Sequence, residues 1–362
     1  MKRKVLALLL CLFVLATMMM GCSSKDGDSK DTAKSEDTTE TSAKAADAET
    51  TEAADSTEAT DTAASGDTIT IGFSQVGAES DWRVANTESM KSALSKENGF
   101  ELIFADAQQK QENQIKAVRD FISQEVDVIV IAPVTETGWE TVLGEAKDAG
   151  IPVIIVDRMI DVSDDSLFSC WVGSDFKKEG VDAANWLVEY MKAQGKGDAE
   201  HNVVVLQGTI GSSAEIGRTK GFDETIAANT NYKILEEQTG EFTQAKGQEV
   251  MESFLKKYDN IDVVIAQNDN MAFGAIDALK AAGKVPGKDV TIVSFDAVKA
   301  AFESMIAGDM NVSVECNPLH GPRVAELAKK LMAGEEVEKI QYVEEGVYPA
   351  DTAEAELPNR QY

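Results

Sequence analysis

The chain has 362 residues, of which 63 are Asp or Glu and 34 are Lys or Arg, so its formal net charge is -29. Nucleic acids and anionic membrane surfaces repel so acidic a chain, and we expect neither as a partner. The length allows two ordinary domains with a substantial buried core.

Residues 1–21 have the pattern of a signal peptide. A basic start is followed by an apolar run over residues 5–20, which is typical of a secretory signal rather than of a stable transmembrane helix. The run ends in Gly21 and Cys22. This junction resembles a bacterial lipoprotein signal, in which Cys22 is lipidated and becomes the first mature residue. A plain secretory signal is the alternative interpretation.

Residues 22–67 predict a disordered, acidic tether. The segment consists mainly of Thr, Ala, Ser, Asp and Glu and contains almost no large apolar side chain. Such a composition cannot bury enough surface to offset the entropy of the chain. Treated as a flexible coil, it spans roughly 35–40 Å, and repulsion between its acids extends it further.

From residue 68 onward, short β-branched runs alternate with stretches of helical period. The predicted strands of the first half lie over residues 69–75, 101–106, 126–134 and 151–158, and helical stretches follow the first three around residues 90–94, 115–122 and 139–146. The pattern restarts with predicted strands over residues 202–208, 232–238, 262–269 and 289–296. Nearly continuous apolar strands separated by helices favour parallel sheets covered on both faces. We therefore predict an α/β fold of two doubly wound parallel-sheet lobes with a ligand cleft between them.

Polar side chains follow nearly every predicted strand, and ligands of open parallel sheets bind beyond the carboxyl ends of the strands. The strand-end residues are Gln75, Asp106, Asp157, Arg158, Gln207, Asn268, Asp269 and Asp296. The same pattern in both halves predicts two facing polar walls. Charged side chains are rarely buried without a partner, so we expect Asp157 and Arg158 to offset the desolvation of each other.

These side chains suit the recognition of hydroxyl groups, because carboxylates accept hydrogen bonds, Arg donates them and Asn does both. Trp82, in the loop after the first strand, is expected to cover the C–H face of a sugar ring, although a core anchor for the first helix is the alternative. The sequence contains no nucleophile elbow, no phosphate-binding lysine motif and no dinucleotide fingerprint after a strand. We expect no enzymatic activity, no cofactor and no metal. Cys170 and Cys316 are expected to be free and buried.

Several longer stretches of both halves carry a family resemblance. They are "GFSQVGAESDWR", "QQKQENQIKAVRDF", "IAPVTETGWE", "IPVIIVDR", "LQGTIGSSAEIGRTKGF", "GEFTQAKGQEVMESF", "AQNDNMAFGAI" and "SVECNPLHGP". Together they make residues 68–362 similar to the substrate-binding proteins of sugar ABC importers, in the ribose-binding branch. Within that branch the chain resembles the galactofuranose-binding subgroup.

The resemblance implies a set of ligand-binding residues. They are Glu79, Ser80, Asp81, Trp82 and Arg83 in the first loop, Asp157 and Arg158 after the fourth predicted strand, and Arg218, Asn268 and Asp296 in the second half. Asp81 departs from the family pattern, which has Gly at that position, and this puts the local loop shape in doubt.

The resemblance also implies a hinge of three crossings, near residues 172–175, 313–317 and 344–348. The N-terminal lobe would then comprise residues 68–173 and 317–345, and the C-terminal lobe residues 174–316 and 346–362. Cys316 falls in this hinge where relatives carry a polar residue, which leaves open whether the hinge contacts the ligand.

The implied function is that of a monomeric extracytoplasmic lipoprotein, held at the outer face of the cell membrane and periplasmic in a Gram-negative cell. It would capture a monosaccharide by lobe closure and deliver it to the permease subunits of an ABC importer. Galactofuranose is the leading candidate, with arabinose, ribose, galactopyranose and short furanose oligosaccharides left open. The main alternative is a sugar sensor that presents its closed form to a chemoreceptor or sensor kinase.

Two further alternatives fit the sequence less well. A repressor core of the same fold would need a DNA-binding helix-turn-helix where this chain has a signal and an acidic tether. A sugar hydrolase would need a pair of carboxylates flanking the reacting bond.

Overall fold

The computed structural model describes residues 68–362. The predicted signal peptide, the predicted lipidation site at Cys22 and the predicted tether lie outside the described residues. Residues 68–362 form two six-stranded sheets with helices between their strands. No helix in this range is long and apolar enough to cross a membrane.

The first sheet is parallel throughout. Its strands are β1 (Ile69–Gln75), β2 (Phe100–Asp106), β3 (Val128–Ile131), β4 (Val153–Val156), β5 (Cys170–Gly173) and β11 (Ile340–Tyr342). Their order across the sheet is β11-β5-β4-β3-β1-β2, and each neighbouring pair runs in the same direction.

The second sheet repeats this order with one reversed strand. Its strands are β6 (His201–Gln207), β7 (Tyr232–Thr239), β8 (Val263–Ala266), β9 (Thr291–Asp296), β10 (Val312–Glu315) and β12 (Val347–Pro349). The order is β12-β10-β9-β8-β6-β7, in which β12 runs antiparallel to β10 and the other pairs are parallel.

The helices connect the strands and cover both sheets. They are α1 (Asp81–Ala93), α2 (Gln111–Ser123), α3 (Glu140–Asp148), α4 (Phe176–Ala193), α5 (Ser213–Ile226), α6 (Gln244–Lys257), α7 (Asp269–Ala281), α8 (Lys299–Ile306), α9 (Gly321–Met332) and α10 (Ala353–Glu356). Side chains of Ser80, Asp175, Ser212, Thr243 and Asn268 cap the starts of α1, α4, α5, α6 and α7. These caps fix the loops that follow the carboxyl ends of the strands.

We call the part built on the first sheet the N lobe and the part built on the second sheet the C lobe. The chain passes between them after β5, after β10 and after β11, through residues 174–175, 316–320 and 343–346. Helix α9, which follows the second passage, packs against α1 in the N lobe through Val324 and Leu327. The three passages together form the hinge.

The predicted fold class is confirmed. The short central strands β3, β4 and β8 read VIVI, VIIV and VVIA and are buried along their whole length, as expected for a sheet covered on both faces. Cys170 and Cys316 are free and buried, as predicted. The sequence analysis did not name β5 and β10, because these four-residue strands mix apolar residues with Cys, Ser and Glu.

Candidate functional site

A small cavity lies between the lobes at the carboxyl ends of the strands. The residues that line it are Glu79, Ser80, Trp82, Arg83, Asp157 and Arg158 from the N lobe, Phe176, Ala214, Arg218, Phe242, Asn268 and Asp296 from the C lobe, and Cys316 from the hinge. All the predicted binding residues except Asp81 are among them.

The N-lobe wall is built around Arg83. Ser80 caps α1 by accepting a hydrogen bond of 3.1 Å from the backbone N–H of Arg83. The first helical turn then brings Arg83 Nε within 3.0 Å of Glu79 Oε1. Arg83 Nη2 lies 2.7 Å from Asp157 Oδ2, so the guanidinium is held between two buried carboxylates.

Arg158 lies further from both acids. Its Nη2 is 3.7 Å from Glu79 Oε1, and its Nε is 3.9 Å from Asp157 Oδ2. Its Nη1 donates a hydrogen bond of 3.1 Å to the carbonyl of Val134. The closest cationic partner of Asp157 is therefore Arg83, and the expectation that Asp157 and Arg158 mainly offset each other was incomplete.

Asp157 and both arginines of the N-lobe wall are charged at neutral pH. Burial by itself raises the pKa of Asp157, but the charges of Arg83 and Arg158 outweigh it and hold that pKa below its ordinary value. Burial and the neighbouring Arg83 lower the pKa of Arg158 to about 10, which still leaves it charged. The wall thus places two carboxyl groups beside two guanidinium groups.

Several polar atoms of this wall are buried without a hydrogen-bond partner within residues 68–362. They are Glu79 Oε2, Asp157 Oδ2 and Arg158 Nε. Arg83 approaches Asp157 Oδ2 closely but not in hydrogen-bond alignment. A buried polar group without a hydrogen bond costs about 1–3 kcal/mol, so a ligand rich in hydroxyl groups would stabilise this arrangement.

The C-lobe wall is built around Arg218 on α5. Its Nε donates a 2.6 Å hydrogen bond to Glu179 Oε2, and its Nη1 donates to the carbonyl of Gln267. Its Nη2 lies 3.4 Å from Asp296 Oδ1. Phe176 also flanks the guanidinium, at 5.4 Å from its ring centre. Arg218 is therefore fixed on every side except that of the cavity.

Asn268 borders the cavity, but its side chain is engaged within the C lobe. Its Oδ1 accepts a 2.9 Å hydrogen bond from the N–H of Met271, which caps α7, and its Nδ2 donates to the carbonyl of Phe242 at 3.0 Å. These bonds place Phe242 against the cavity. Asn268 thus shapes the wall through Phe242 as well as bordering the cavity itself.

Three residues that line the cavity have a left-handed backbone, which is uncommon outside Gly. They are Asp157, Phe242 and Asp296, with φ of 61°, 60° and 105°. Such conformations cost about 1–3 kcal/mol each and persist where the surrounding structure fixes them, often at functional sites. They turn the chain sharply at the strand ends and so bring these side chains to the cavity.

Trp82 joins the N lobe to the hinge. Its Nε1 donates a 2.6 Å hydrogen bond to the carbonyl of Cys316, and its ring packs with buried side chains that belong mostly to the C lobe. Both interpretations of Trp82, as a cavity wall and as a core anchor, describe part of its surroundings. Cys316 itself lines the cavity, so the hinge does border it.

The sequence analysis placed Asp81 with the binding residues, but Asp81 does not line the cavity. It is exposed, its N–H donates to Asn270 Oδ1 at 3.0 Å, and its Oδ2 accepts from Asn270 Nδ2 at 3.3 Å. As the first residue of α1 it points along the rim towards the C lobe. Met159 N–H likewise reaches Ser213 Oγ at 2.8 Å, so direct contacts close the rim.

The sequence analysis missed several residues that build the cavity. They are Phe176, Ala214 and Phe242 in the walls and Glu179 behind Arg218. Phe242 lies in a loop after a strand, which is a signal that could have identified it. Glu179 looks like a surface acid of an amphipathic helix, and no local pattern distinguishes it.

Two doubly wound lobes, joined by three passages around a polar cavity, define the class of two-lobed solute-binding proteins. Residues 71–336 match the periplasmic binding protein domain, and the chain belongs to this family. The family resemblance stated from the sequence is thereby confirmed.

Individual relatives are similar over most of the chain. The galactofuranose-binding protein YtfQ of Escherichia coli strain K12 is 49% identical over 296 residues, which are 81% of this chain and 91% of that protein. A structure from Mycobacterium smegmatis in complex with β-D-fucofuranose is 48% identical, with a TM-score of 0.78 over 81% of this chain and 95% of that chain. The binding protein of the arabinose ABC transporter from Shewanella sp. ANA-3, bound to α- and β-L-arabinofuranose, is 49% identical. Its TM-score is 0.76 over 81% of this chain and 95% of that chain.

Proposed function

We propose that this protein captures a monosaccharide in its furanose form by closing its lobes and delivers it to an ABC importer. The observation that carries the proposal is the pair of buried polar atoms in the N-lobe wall that lack a hydrogen-bond partner in the described chain, Glu79 Oε2 and Arg158 Nε. Sugar hydroxyls both donate and accept, so one ring can complete the bonds of acids and arginine together.

The strength of such contacts accounts for tight binding. A hydrogen bond to a charged group contributes about 1.5–3 kcal/mol. Several of them, less the cost of association, reach the roughly -8 kcal/mol of micromolar affinity or better. Because the contacts form only when both walls enclose the sugar, ligand favours the closed arrangement that a permease recognises.

The choice of sugar rests on the rim of the cavity and on the relatives. Direct contacts between the lobes at the rim leave little room beyond the cavity, which favours a monosaccharide over an oligosaccharide. The relatives named above are described with galactofuranose, fucofuranose or arabinofuranose, which share a five-membered ring. We propose galactofuranose or a closely related furanose. Sugar phosphates should bind poorly, because the ionised carboxylate of Asp157 repels a phosphate.

A binding screen tests this function. D-galactose, D-fucose, L-arabinose and D-ribose are added to the protein in thermal-shift assays, with galactose 1-phosphate and an amino acid as controls. A ligand at a hundred times its Kd stabilises the folded state by about 2.7 kcal/mol and raises the melting temperature. Asp157→Ala should abolish the shift, whereas Asp106→Ala should retain it, because Asp106 is an exposed strand-end acid outside the cavity. A shift with the phosphate or amino acid alone would contradict the proposal.

We propose further that the protein is a monomer held at the outer face of the cell membrane by lipid on Cys22, with residues 22–67 as the tether. Stable anchoring takes more than one acyl chain, which a bacterial lipoprotein carries. Wild type should appear in the membrane fraction and Cys22→Ser in the soluble fraction. Equal membrane recovery of the two would refute the anchor without affecting sugar binding.

A further inference from the structure

A cluster of acidic groups lies where the three passages of the hinge meet. The carboxyl groups of Glu179 and Glu345 and the thiol of Cys316 lie within 4.8 Å of one another. Glu179 stands near the start of α4, after the first passage, Cys316 belongs to the second passage and Glu345 to the third. We call these three residues the hinge cluster.

Hydrogen bonds join Glu345 to the other two passages. Ser174 Oγ, in the first passage, donates to Glu345 Oε1 and lies 3.3 Å from Cys316 Sγ. The N–H of Asn317, in the second passage, donates to the same Oε1 at 2.8 Å. The position of Glu345 therefore depends on all three passages and would respond to a change in any of them.

Glu179 connects the hinge cluster to the cavity. Its Oε2 accepts the 2.6 Å hydrogen bond from Nε of Arg218, which lines the cavity. Its Oε1 is buried and has no hydrogen-bond partner in the part of the chain that the structure describes. Glu179 does not line the cavity, so any effect it has on a ligand passes through Arg218.

The charges around Arg218 are not balanced. The positive charge of Arg218 lowers the pKa of four carboxyl groups of the C lobe and the hinge, namely those of Glu179, Asp269, Asp296 and Glu345. A single guanidinium offsets one negative charge, and further ionised acids in a buried site would be strongly unfavourable. Burial raises the pKa of each of these four carboxyl groups above its ordinary value.

The pKa values of Glu345 and Glu179 show the size of this effect. Burial and the charge of Glu179 raise the pKa of Glu345 to about 8, against the hydrogen bonds from Ser174 and Asn317 and the charge of Arg218. Burial raises the pKa of Glu179 to about 7, opposed by Arg218 and assisted by Asp296 and Asp157. Lys178 lines the same surface groove as Glu345.

We infer that Glu179 is the positioning residue for Arg218, and that Glu345 modulates this role through the hinge. The ionised carboxylate of Glu179 holds the guanidinium beside the cavity, and protonation of Glu179 weakens that bond. A charge on Glu345 beside it opposes the ionisation of Glu179. The inference rests on the proposed function, in which Arg218 contacts the sugar.

Calorimetry over a pH range tests the inference. The titrants are L-arabinose, D-fucose and D-galactose, at about pH 6, pH 7.5 and pH 9. Wild type should gain up to about tenfold in affinity across this range, because Glu179, whose pKa is about 7, becomes ionised. Glu345→Gln should complete this gain at lower pH, because its amide carries no charge that opposes the ionisation of Glu179. Glu344→Gln, which alters the exposed neighbouring acid, should follow wild type.

A further variant separates positioning from a general structural role. Glu179→Gln should weaken binding about tenfold at pH 9 but little at pH 6, since a neutral amide holds Arg218 less strongly than a carboxylate. It should thereby remove most of the pH dependence of affinity. A flat pH profile in wild type, or a Glu179→Gln profile that rises like wild type, overturns the inference.

The melting temperature without sugar gives a second readout. The pKa of Glu345 is about 8 in the folded protein and ordinary in the unfolded chain, so the folded state binds more protons and stability falls as the pH rises to about 8. Glu345→Gln should lose less than wild type or Glu344→Gln. If no sugar binds but this difference holds, only the proposed function fails. If EDTA or added zinc changes wild type as the pH does, a metal ion rather than a proton occupies the cluster and the inference fails.

Discussion

The two walls of the cavity come from lobes of the same design, yet their charges differ. The N-lobe wall pairs Glu79 and Asp157 with Arg83 and Arg158, so its charges balance. The C-lobe wall has Arg218 alone among an excess of acids. A repeated fold therefore fixes where polar residues stand but not how they titrate.

The difference assigns separate tasks to the walls. In the balanced wall, Arg83 and Arg158 keep Asp157 ionised, so its acceptors are constant over a wide pH range. In the acidic wall, burial raises the pKa of Asp296 well above its ordinary value, with Arg218 opposing and Asp269 adding to the shift. We expect the N-lobe wall to supply most of the affinity and the C-lobe wall to supply its pH dependence.

The largest predicted effect comes from breaking the balanced wall. Arg158→Ala should reduce sugar affinity by about a hundredfold or more, at about 1.4 kcal/mol per tenfold. It removes a guanidinium that borders the cavity and leaves Glu79 and Asp157 with Arg83 alone. The melting temperature without sugar should change little, because Arg83 remains the closest partner of both acids.

Sugar titration beside melting checks this prediction. Arg119→Ala is the control, because it breaks a 2.7 Å surface ion pair with Glu145 away from the cavity. Exposed pairs of this kind contribute about 0–1 kcal/mol, so the control should bind and melt like wild type. If Arg158→Ala melts many degrees lower yet binds sugar normally, Arg158 is a structural ion and the balanced wall is not the main source of affinity.

A smaller effect is expected where the N lobe meets the hinge. Trp82→Phe keeps an aromatic ring but removes the hydrogen bond from Nε1 to the carbonyl of Cys316. The loss of one such bond should weaken binding by about 1 kcal/mol, or roughly fivefold. Trp139→Phe, which alters a tryptophan buried in the N lobe away from the cavity, should affect stability but not affinity. Unchanged affinity in Trp82→Phe would show that the hinge bond does not support closure.

The acidic lobe also predicts the pH dependence of stability at a site remote from the ligand. Burial, with the charges of Asp223 and Glu215, raises the pKa of Glu237 on β7 to about 7. A raised folded-state pKa means that stability is present below the ordinary value of 4.5 and is lost as the pH rises through about 7.

Glu237→Gln should therefore reduce the fall in melting temperature between about pH 5 and pH 8. Glu236→Gln is the matched control, because its carboxylate is paired with Lys257 and its pKa is lowered. The control should not flatten the profile in this range. If the melting temperature falls with pH equally in wild type and in Glu237→Gln, Glu237 does not cause the pH dependence of stability.

The parts of this picture that could be predicted from the sequence are those with a local signature. Apolar runs of four or more residues marked the central strands, and the rule for parallel sheets placed Asp157, Asn268 and Asp296 at the cavity. The pairing of Arg83 with Asp157 joins residues that lie far apart in the chain, and no periodicity encodes it. Asp81 was misplaced because its direction depends on the helix starting at Ser80.

The hinge cluster shows the same limit more strongly. Glu179 and Glu345 are ordinary acids in their local sequence, and only the meeting of three passages buries them together. Their pKa values depend on that burial and on Arg218. Burial of acids by distant segments is a property of the folded chain, and composition alone indicates nothing about it.

The smallest predicted effect concerns the rim, where the two lobes touch directly. Asn270→Ala removes both hydrogen bonds to Asp81, of 3.0 Å and 3.3 Å. Because these bonds are only partly buried, they should contribute only about 0.5–1 kcal/mol to the closed form, and their loss should make the release of sugar roughly two- to fivefold faster. The rate of association should hardly change, since the open form lacks these contacts. Stopped-flow measurement of release separates the two rates, and Asn260→Ala, an exposed asparagine bonded locally to Asp262, serves as control. Slower association with unchanged release would mean that Asn270 guides the sugar into the cleft rather than holding the walls together.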